Sequence, residues 1–136
     1  MKILQFAFGE DMPQSDYIPH NYDKNFLVYS GTHDNNTTVG WFKTEASEET
    51  KKRIRQYAGC DVTAENIHQV FARLAFGSVA QIAILPIQDV LGLDETARMN
   101  TPSSGENNWA WRLVPNQLTA DMERYLHELT KIYNRL

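Results

Sequence analysis

The most concentrated set of polar side chains follows a short apolar segment, Phe26 to Tyr29, and reads Thr32-His33-Asp34-Asn35. In parallel α/β proteins, reacting groups gather at the carboxyl ends of strands. A carboxylate at Asp34 can stabilise positive charge that develops on a substrate, as in an oxocarbenium-like glycosyl transfer, while His33 donates a hydrogen bond to a sugar hydroxyl. A second interpretation stays open, in which Asp34 and Asn35 only shape a turn through side-chain to backbone hydrogen bonds.

Metal and thiol chemistry are less well supported by the sequence. No second ligand lies four residues along the chain from His33, so we predict no metal site. The single cysteine, Cys60, excludes an internal disulfide and a cysteine-rich zinc site. We expect a semi-buried, unreactive thiol after a turn at Gly59, in a reducing, cytoplasmic setting.

A second polar segment, residues 99–108, has the glycine-containing composition that suits a lid. It is followed by Trp109 and Trp111, which share a face if the chain there is extended. Aromatic faces of this kind can stack on sugar rings. The alternative, which the sequence favours, is that both tryptophans anchor the loop to the core.

Composition limits the classes of partner. The chain has 136 residues, one domain's worth, and 42% of them are apolar, which is enough for a core. Thirteen Lys and Arg against 17 Asp and Glu give a net charge of -4, which disfavours nucleic acids and anionic membranes as partners. No apolar run reaches about 18 residues, so we predict no membrane span.

Hydrophobic patterning predicts three strands, at residues 2–8, 26–29 and 79–85. The first ends at Gly9-Glu10-Asp11 and the third is followed by Gln88-Asp89, so both ends are further candidate sites. Ser47 and Gly59 bound a predicted helix at 48–58, and a second helix is expected at 64–76. Thr119 is the expected cap of a last helix. Its apolar stripe comprises Met122, Tyr125, Leu126, Leu129, Ile132, Tyr133 and Leu136.

Apolar strands separated by helices indicate parallel βα units and an α/β fold. Three parallel strands leave two unpaired edges, which would expose the sheet to association. We therefore expect this chain to be part of a larger α/β domain. The chain opens directly in a predicted strand, which favours a truncated start.

Five segments carry a more specific signal: MKILQFAFG, YIPHNY, VYSGTHDNNTTVGWF, AILPIQDVLGL and RMNTPSSGENNWAWRL. Together they resemble the amylomaltase family, the 4-α-glucanotransferases or disproportionating enzymes. The segments occur in the family's order and cover nearly the whole chain.

The resemblance implies a (β/α)8 TIM barrel, of which residues 1–136 form the C-terminal part, strands six to eight with their helices. It implies transfer of α-1,4-glucan segments to another glucan or to glucose, by a retaining mechanism with a covalent glycosyl-enzyme intermediate. Family members use three acids: a nucleophilic Asp after strand four, a Glu acid/base after strand five and an Asp after strand seven. Asp34 matches the third acid, and His33 matches the histidine beside it.

The resemblance also implies substrate contacts for Asn35, Asn100 and Pro102. Residues 100–107 match a loop that overhangs the acceptor side and helps to limit water. Many relatives have Gly after the proline of this loop, where this chain has Ser103-Ser104. The shape of the loop, and hence the balance between transfer and hydrolysis, is left open.

The motifs of the other two acids have no counterpart here, so we expect the chain to be inactive without the missing N-terminal part of the barrel. The parent protein is expected to act on maltooligosaccharides and on α-glucans derived from starch or glycogen. No cofactor is implied, because carboxylates carry the reaction. The alternative is a stand-alone maltooligosaccharide-binding or interaction module derived from the barrel.

Overall fold

A computed structural model describes residues 1–135 and contains one sheet of three parallel strands. The strands are β1 (Lys2–Ile3), β2 (Leu27–Tyr29) and β3 (Ile82–Ile84), and their spatial order is their order in the chain. Val28 in the central strand pairs with Lys2 on one side and with Ala83 on the other. All three carboxyl ends therefore lie at one edge of the sheet, and the α/β class is confirmed.

Within residues 1–135, five α-helices connect and flank these strands. The predicted helix at 48–58 is confirmed with the same bounds: Ser47 accepts a hydrogen bond from the Thr50 amide, and Gly59 ends the helix with a left-handed φ of 68°. Thr119 caps the last helix as predicted. The helices are α1 (Thr38–Thr44), α2 (Glu48–Ala58), α3 (Ile67–Gly77), α4 (Ile87–Val90) and α5 (Ala120–Ile132).

Helix α1 was not predicted, because a segment that begins Thr-Val-Gly has low intrinsic helix propensity. Tertiary structure supplies what the sequence lacks. Thr37 caps the helix by accepting a hydrogen bond from the Gly40 amide, and the residues from Thr38 to Phe42 are buried. A Cβ atom at Gly40 would lie 2.7 Å from the backbone nitrogen of Glu95, so glycine allows the close approach of the two segments.

The first predicted strand is too long. Only Lys2–Ile3 pairs with a neighbour, and the chain then enters a 3-10 turn at Leu4–Phe6. Leu4 and Phe8 are buried, so the residues after Ile3 are apolar because they belong to the core and not because they form a strand. Gly9-Glu10-Asp11 consequently does not stand at a strand end, which removes that candidate site.

The core lies on one side of the sheet. Val28 faces it, together with Ile54 of α2 and Phe71 of α3, and the Phe71 ring stacks on Phe8 at 5.7 Å. On the other side, the paired residues Leu27 and Ile82 are 37% and 47% exposed. One face of this parallel sheet is therefore covered by helices, whereas the other presents apolar side chains to the surface.

The predicted stripe of α5 is buried only in part. Leu129 is buried and packs toward α3, but Ile132 is 61% exposed, and Leu136 lies outside the described residues. Arg135 joins the end of α5 to the end of α3, because its guanidinium donates to the carbonyls of Ala75, Phe76, Ser78 and Ala80.

Cys60 is exposed rather than semi-buried, because it follows the end of α2 on the surface. Within residues 1–135, none of the helices has both the length and the apolar character required to traverse a bilayer.

Candidate functional site

A cavity of about 430 Å³ opens at the carboxyl edge of the sheet. Its walls come from the segment after β2, from the end of β3 and from the long loop before α5. Among its lining residues are Gly31 to Thr37, Ile84, Pro86, Arg98, Met99 and Trp109. Of the three candidate strand ends, those of β2 and β3 thus contribute to one site.

The turn that carries the candidate residues is fixed from within. The Asn35 Oδ1 atom accepts hydrogen bonds from the backbone nitrogen and the hydroxyl of Thr32, both at 2.8 Å. A Cβ atom at Gly31 would lie 2.6 Å from the Gln5 Nε2 atom, so the glycine leaves room for the Gln5 side chain beside the turn. Asn35 therefore shapes the turn through hydrogen bonds of its side chain, as the second interpretation of the sequence proposed.

Asp34 has a different role in this turn. Its carboxylate borders the cavity, its side chain is 53% exposed, and Oδ1 accepts a hydrogen bond of 2.7 Å from Asn100 Nδ2. The same oxygen lies 3.4 Å from His33 Nε2. The carboxylate thus stands at a solvent-accessible position beside the Asn100 amide donor and the His33 imidazole, where it can also accept hydrogen bonds from a ligand.

Arg98 joins the two segments that form the site. Its Nη2 donates to the backbone carbonyl of Asp34 at 2.8 Å, and its Nε donates to that of Asn100 at 2.9 Å. Its Nη1 lies 3.5 Å from the Glu45 carboxylate. The backbone amide of Asn100 also donates a hydrogen bond to the His33 carbonyl at 3.1 Å. Because a guanidinium presents several donors in a fixed plane, this junction sets the distance between the two segments.

Trp109 forms a wall of the site. Its indole lies 5.1 Å from the His33 imidazole, and the residue is 53% exposed. Trp109 has a left-handed φ of 61°, so the chain is not extended here, and Trp111 borders a different groove with Lys43 and Gln117. The expectation of a shared face is wrong for this reason, and Trp109 does not serve as an anchor in the core.

The loop beyond Asn100 is held by Asn108. Its Oδ1 accepts from the Thr101 amide at 2.8 Å, and its Nδ2 donates to the Ser104 carbonyl at 2.7 Å. Pro102 is exposed on this loop and, among the described residues, does not belong to the cavity wall. A ligand contact for Pro102 stays a prediction.

The carboxylate at the third strand end, Asp89, is buried. Ser30, the Thr38 amide and the Thr38 hydroxyl all donate to it at 2.5 to 2.7 Å. Burial raises the pKa of Asp89 above its ordinary value, against the opposing effect of these hydrogen bonds. The nearby His68 has its pKa lowered by its own burial. Since its oxygens are occupied by protein donors, Asp89 is a structural carboxylate rather than a reacting one.

Sequence patterning predicted His33, Asp34 and Asn35 at the site, and the family resemblance added Asn100. Neither predicted Arg98 or the hydrogen bonds that join Arg98 and Asn100 to Asp34. The signal for these two was the RMN motif alone, which carries no information about contacts 64 or more residues away. In the part of the chain that the structure describes, there is no group of three or more His, Cys, Asp or Glu that could hold a metal ion.

Comparisons with known proteins agree on one family. The family model described as 4-alpha-glucanotransferase matches residues 1–118. The 4-alpha-glucanotransferase of Synechocystis sp. is 46% identical over 136 residues, which cover 99% of this chain and 26% of the relative. The chloroplastic/amyloplastic 4-alpha-glucanotransferase of Solanum tuberosum is 41% identical over 140 residues, covering 100% of this chain and 24% of the relative.

A solved structure is also similar. The amylomaltase from Streptococcus agalactiae in complex with acarbose superposes with a TM-score of 0.91 and 36% sequence identity. The match covers 98% of this chain and 27% of that protein. The chain therefore spans about a quarter of the length of the relatives that it matches.

Proposed function

Because this chain belongs to the 4-alpha-glucanotransferase family, we propose that it forms part of a catalytic (β/α)8 barrel and supplies strands six to eight. The complete enzyme transfers segments of α-1,4-glucan to another glucan or to glucose. One observation carries the proposal: the Asp34 carboxylate stands at the carboxyl edge of a parallel sheet and borders a cavity, beside His33 and Asn100.

The proposed role of Asp34 is to stabilise the glucosyl transition state. Positive charge develops on the sugar ring as the glycosidic bond breaks, and a nearby carboxylate lowers the energy of that charge. The carboxylate also accepts hydrogen bonds from sugar hydroxyls, which strengthen in the transition state. His33 and Trp109 lie in contact and form a wall on which a glucosyl ring fits. Asn35 holds the turn, and Asn100 both orients Asp34 and reaches the substrate.

The exposed side of the sheet supports an incomplete barrel. Leu27 and Ile82 are adjacent apolar residues on a face that no helix of the described chain covers. In a (β/α)8 barrel, the inner face of each strand packs against side chains from the other strands. We assign Leu27 and Ile82 to that inner face and residues 1–136 to an incomplete domain that needs the first five strands.

The acceptor side is assigned to the loop from Asn100 to Asn107. It begins at the residue that contacts Asp34 and continues through the exposed Pro102. The internal bonds of Asn108 keep this loop compact despite Ser103-Ser104. A compact loop above the site limits the access of water to the glycosyl-enzyme and so favours transfer over hydrolysis.

The other catalytic groups are assigned to the part of the barrel that this chain lacks. The nucleophile and the proton donor come from strands four and five, so the chain by itself is inactive. Carboxylates carry the reaction and no cofactor takes part. The substrates are maltooligosaccharides and other α-1,4-glucans, and the proposed location is the cytoplasm.

The test is a chimeric enzyme in which this chain replaces the matching segment of the Synechocystis relative. With maltotriose, the chimeric enzyme should release glucose and form longer oligosaccharides, whereas the isolated chain should do neither. Exclusive formation of shorter products would indicate a hydrolase instead. A monodisperse isolated chain that melts cooperatively and binds maltooligosaccharides, together with an inactive chimeric enzyme, would favour the binding module.

A further inference from the structure

Both ends of the loop that carries Asp34 are bound by a single carboxylate. The Oδ2 atom of Asp89 accepts a hydrogen bond from the Ser30 hydroxyl at 2.5 Å and one from the Thr38 hydroxyl at 2.7 Å. Its Oδ1 accepts from the Thr38 backbone amide at 2.7 Å. Ser30 directly follows β2 and Thr38 opens α1, so Asp89 joins the start of the loop to its end.

Asp34 lies at the middle of this loop, four residues from Ser30 and four from Thr38. Both loop ends that Asp89 binds are therefore within four residues of Asp34. We call Asp89, Ser30 and Thr38 the clamp. Ser30 is 1% and Thr38 0% exposed, so water cannot readily replace a hydrogen bond that is lost there.

Asp89 itself belongs to the neighbouring βα unit. It lies in α4, directly after β3, and its amide donates to the Pro86 carbonyl at 2.9 Å. The clamp thus fixes the loop after one strand to the unit that contains the next strand. The segment after β1 also contacts the loop, because Gln5 Nε2 donates a hydrogen bond to the Asn36 carbonyl at 2.9 Å.

We propose that Asp89 is a positioning residue for the transfer reaction: through Ser30 and Thr38 it sets where the Asp34 carboxylate stands relative to the glucosyl ring. This inference rests on the proposed function of Asp34. Asp89 borders the cavity, but it is only 4% exposed and each of its oxygens accepts from a protein donor, so in this proposal it acts through the loop and not on the substrate. A displacement of a catalytic group by about 1 Å can lower the rate by about 100-fold, so a buried tie of this kind affects turnover more than binding.

The chemistry of the clamp suggests the variants. Asp89→Asn is a weak test, because its amide can donate to hydroxyls that then turn to accept. Thr38→Val removes one donor and keeps the shape of the side chain, and Ser30→Ala frees the other end of the loop. Thr38→Ser restores the hydroxyl. Ser15→Ala is the matched control, because Ser15 is also buried but its hydroxyl accepts from the Tyr17 amide, far along the chain from the loop.

The experiment measures kcat and KM for maltotriose in the chimeric enzyme, below the melting temperature of every variant. Thr38→Val and Ser30→Ala should each lower kcat by about 10- to 100-fold while KM changes by less than about threefold. Thr38→Ser and Ser15→Ala should keep at least about half of the original kcat. In hydrogen exchange, the amides between Thr32 and Asn36 should exchange faster in the first two variants only.

The proposal is overturned if Thr38→Val and Ser30→Ala lower only the melting temperature and leave kcat within about twofold while Asp34→Asn is inactive. That result would make Asp89 a contributor to stability alone. Normal turnover by Asp34→Asn would overturn the proposed function itself, and the two failures are distinguished by this variant.

Discussion

Asn100 provides a sensitive test of the site, because it donates to Asp34 Oδ1 at 2.7 Å through a side chain that can be removed without cutting the loop. Its backbone amide continues to donate to the His33 carbonyl in any variant. A hydrogen bond to a charged group contributes about 1.5 to 3 kcal/mol, and the half-exposed setting of Asp34 favours the lower end. Asn100→Ala should therefore lower kcat of the chimeric enzyme by about tenfold.

Asn100→Asp should be more damaging than Asn100→Ala. It replaces the donor by a second negative charge, and two charges about 4 Å apart repel by about 1 kcal/mol in water and about 4 kcal/mol near a protein surface. Taking about 2 kcal/mol for this half-exposed pair, the total loss is about 3.5 kcal/mol, or a few hundredfold in kcat. Raising the salt concentration should reduce the difference between the two variants.

The assay is the initial rate of glucose release from maltotriose, with kcat and KM determined separately. Asn25→Ala is the control, because Asn25 is an exposed asparagine at the opposite, amino end of β2. If Asn100→Ala stays within about twofold of the unsubstituted enzyme, or if Asn100→Asp is no worse than Asn100→Ala, the contact between Asn100 and Asp34 does not support catalysis.

Three further predictions concern binding, stability and pH. Trp109→Ala should raise KM for maltotriose about fivefold through the loss of about 1 kcal/mol of apolar contact, whereas Trp111→Ala should not; equal effects would contradict the assignment of Trp109 to the site. Arg135→Ala should lower the unfolding free energy by about 2 kcal/mol, since several carbonyls around the end of α3 lose their donor. In urea unfolding, the exposed Arg124→Ala should change the free energy by less than about 0.5 kcal/mol. Because burial raises the pKa of Asp89 above 3.8, its ionised form disfavours the folded state. The unfolding free energy of Asp89→Asn relative to the unsubstituted chain should therefore increase from pH 4 to pH 7, and a constant difference would refute the assignment.

The elements that the sequence predicted best have strong local signals. Helix α2 combines a serine cap, acidic residues in its first turn and a terminal glycine, so its bounds follow from short-range interactions alone. The placement of Asp34 followed from the same kind of reasoning, since a polar cluster after an apolar strand reaches the carboxyl edge of a parallel sheet.

The features that were missed depend on contacts distant in sequence. Helix α1 forms because its residues are buried against the rest of the fold, and the local sequence does not predict that burial. The run after Lys2 is apolar, but periodicity cannot separate a buried 3-10 turn from a buried strand. The hydrogen bonds from Arg98 and Asn100 to Asp34 form only when the long loop folds, and the contact of Trp109 with His33 also joins segments distant in sequence.

The most direct test of the proposed role of this chain is the turnover of maltotriose by the chimeric enzyme with Asp34→Asn, beside the exposed control Asp16→Asn. We expect Asp34→Asn to lower kcat by about 1,000-fold or more at an unchanged melting temperature, and the control to keep near-normal turnover. A kcat for Asp34→Asn within about tenfold of the unsubstituted enzyme would show that Asp34 does not stabilise the transition state.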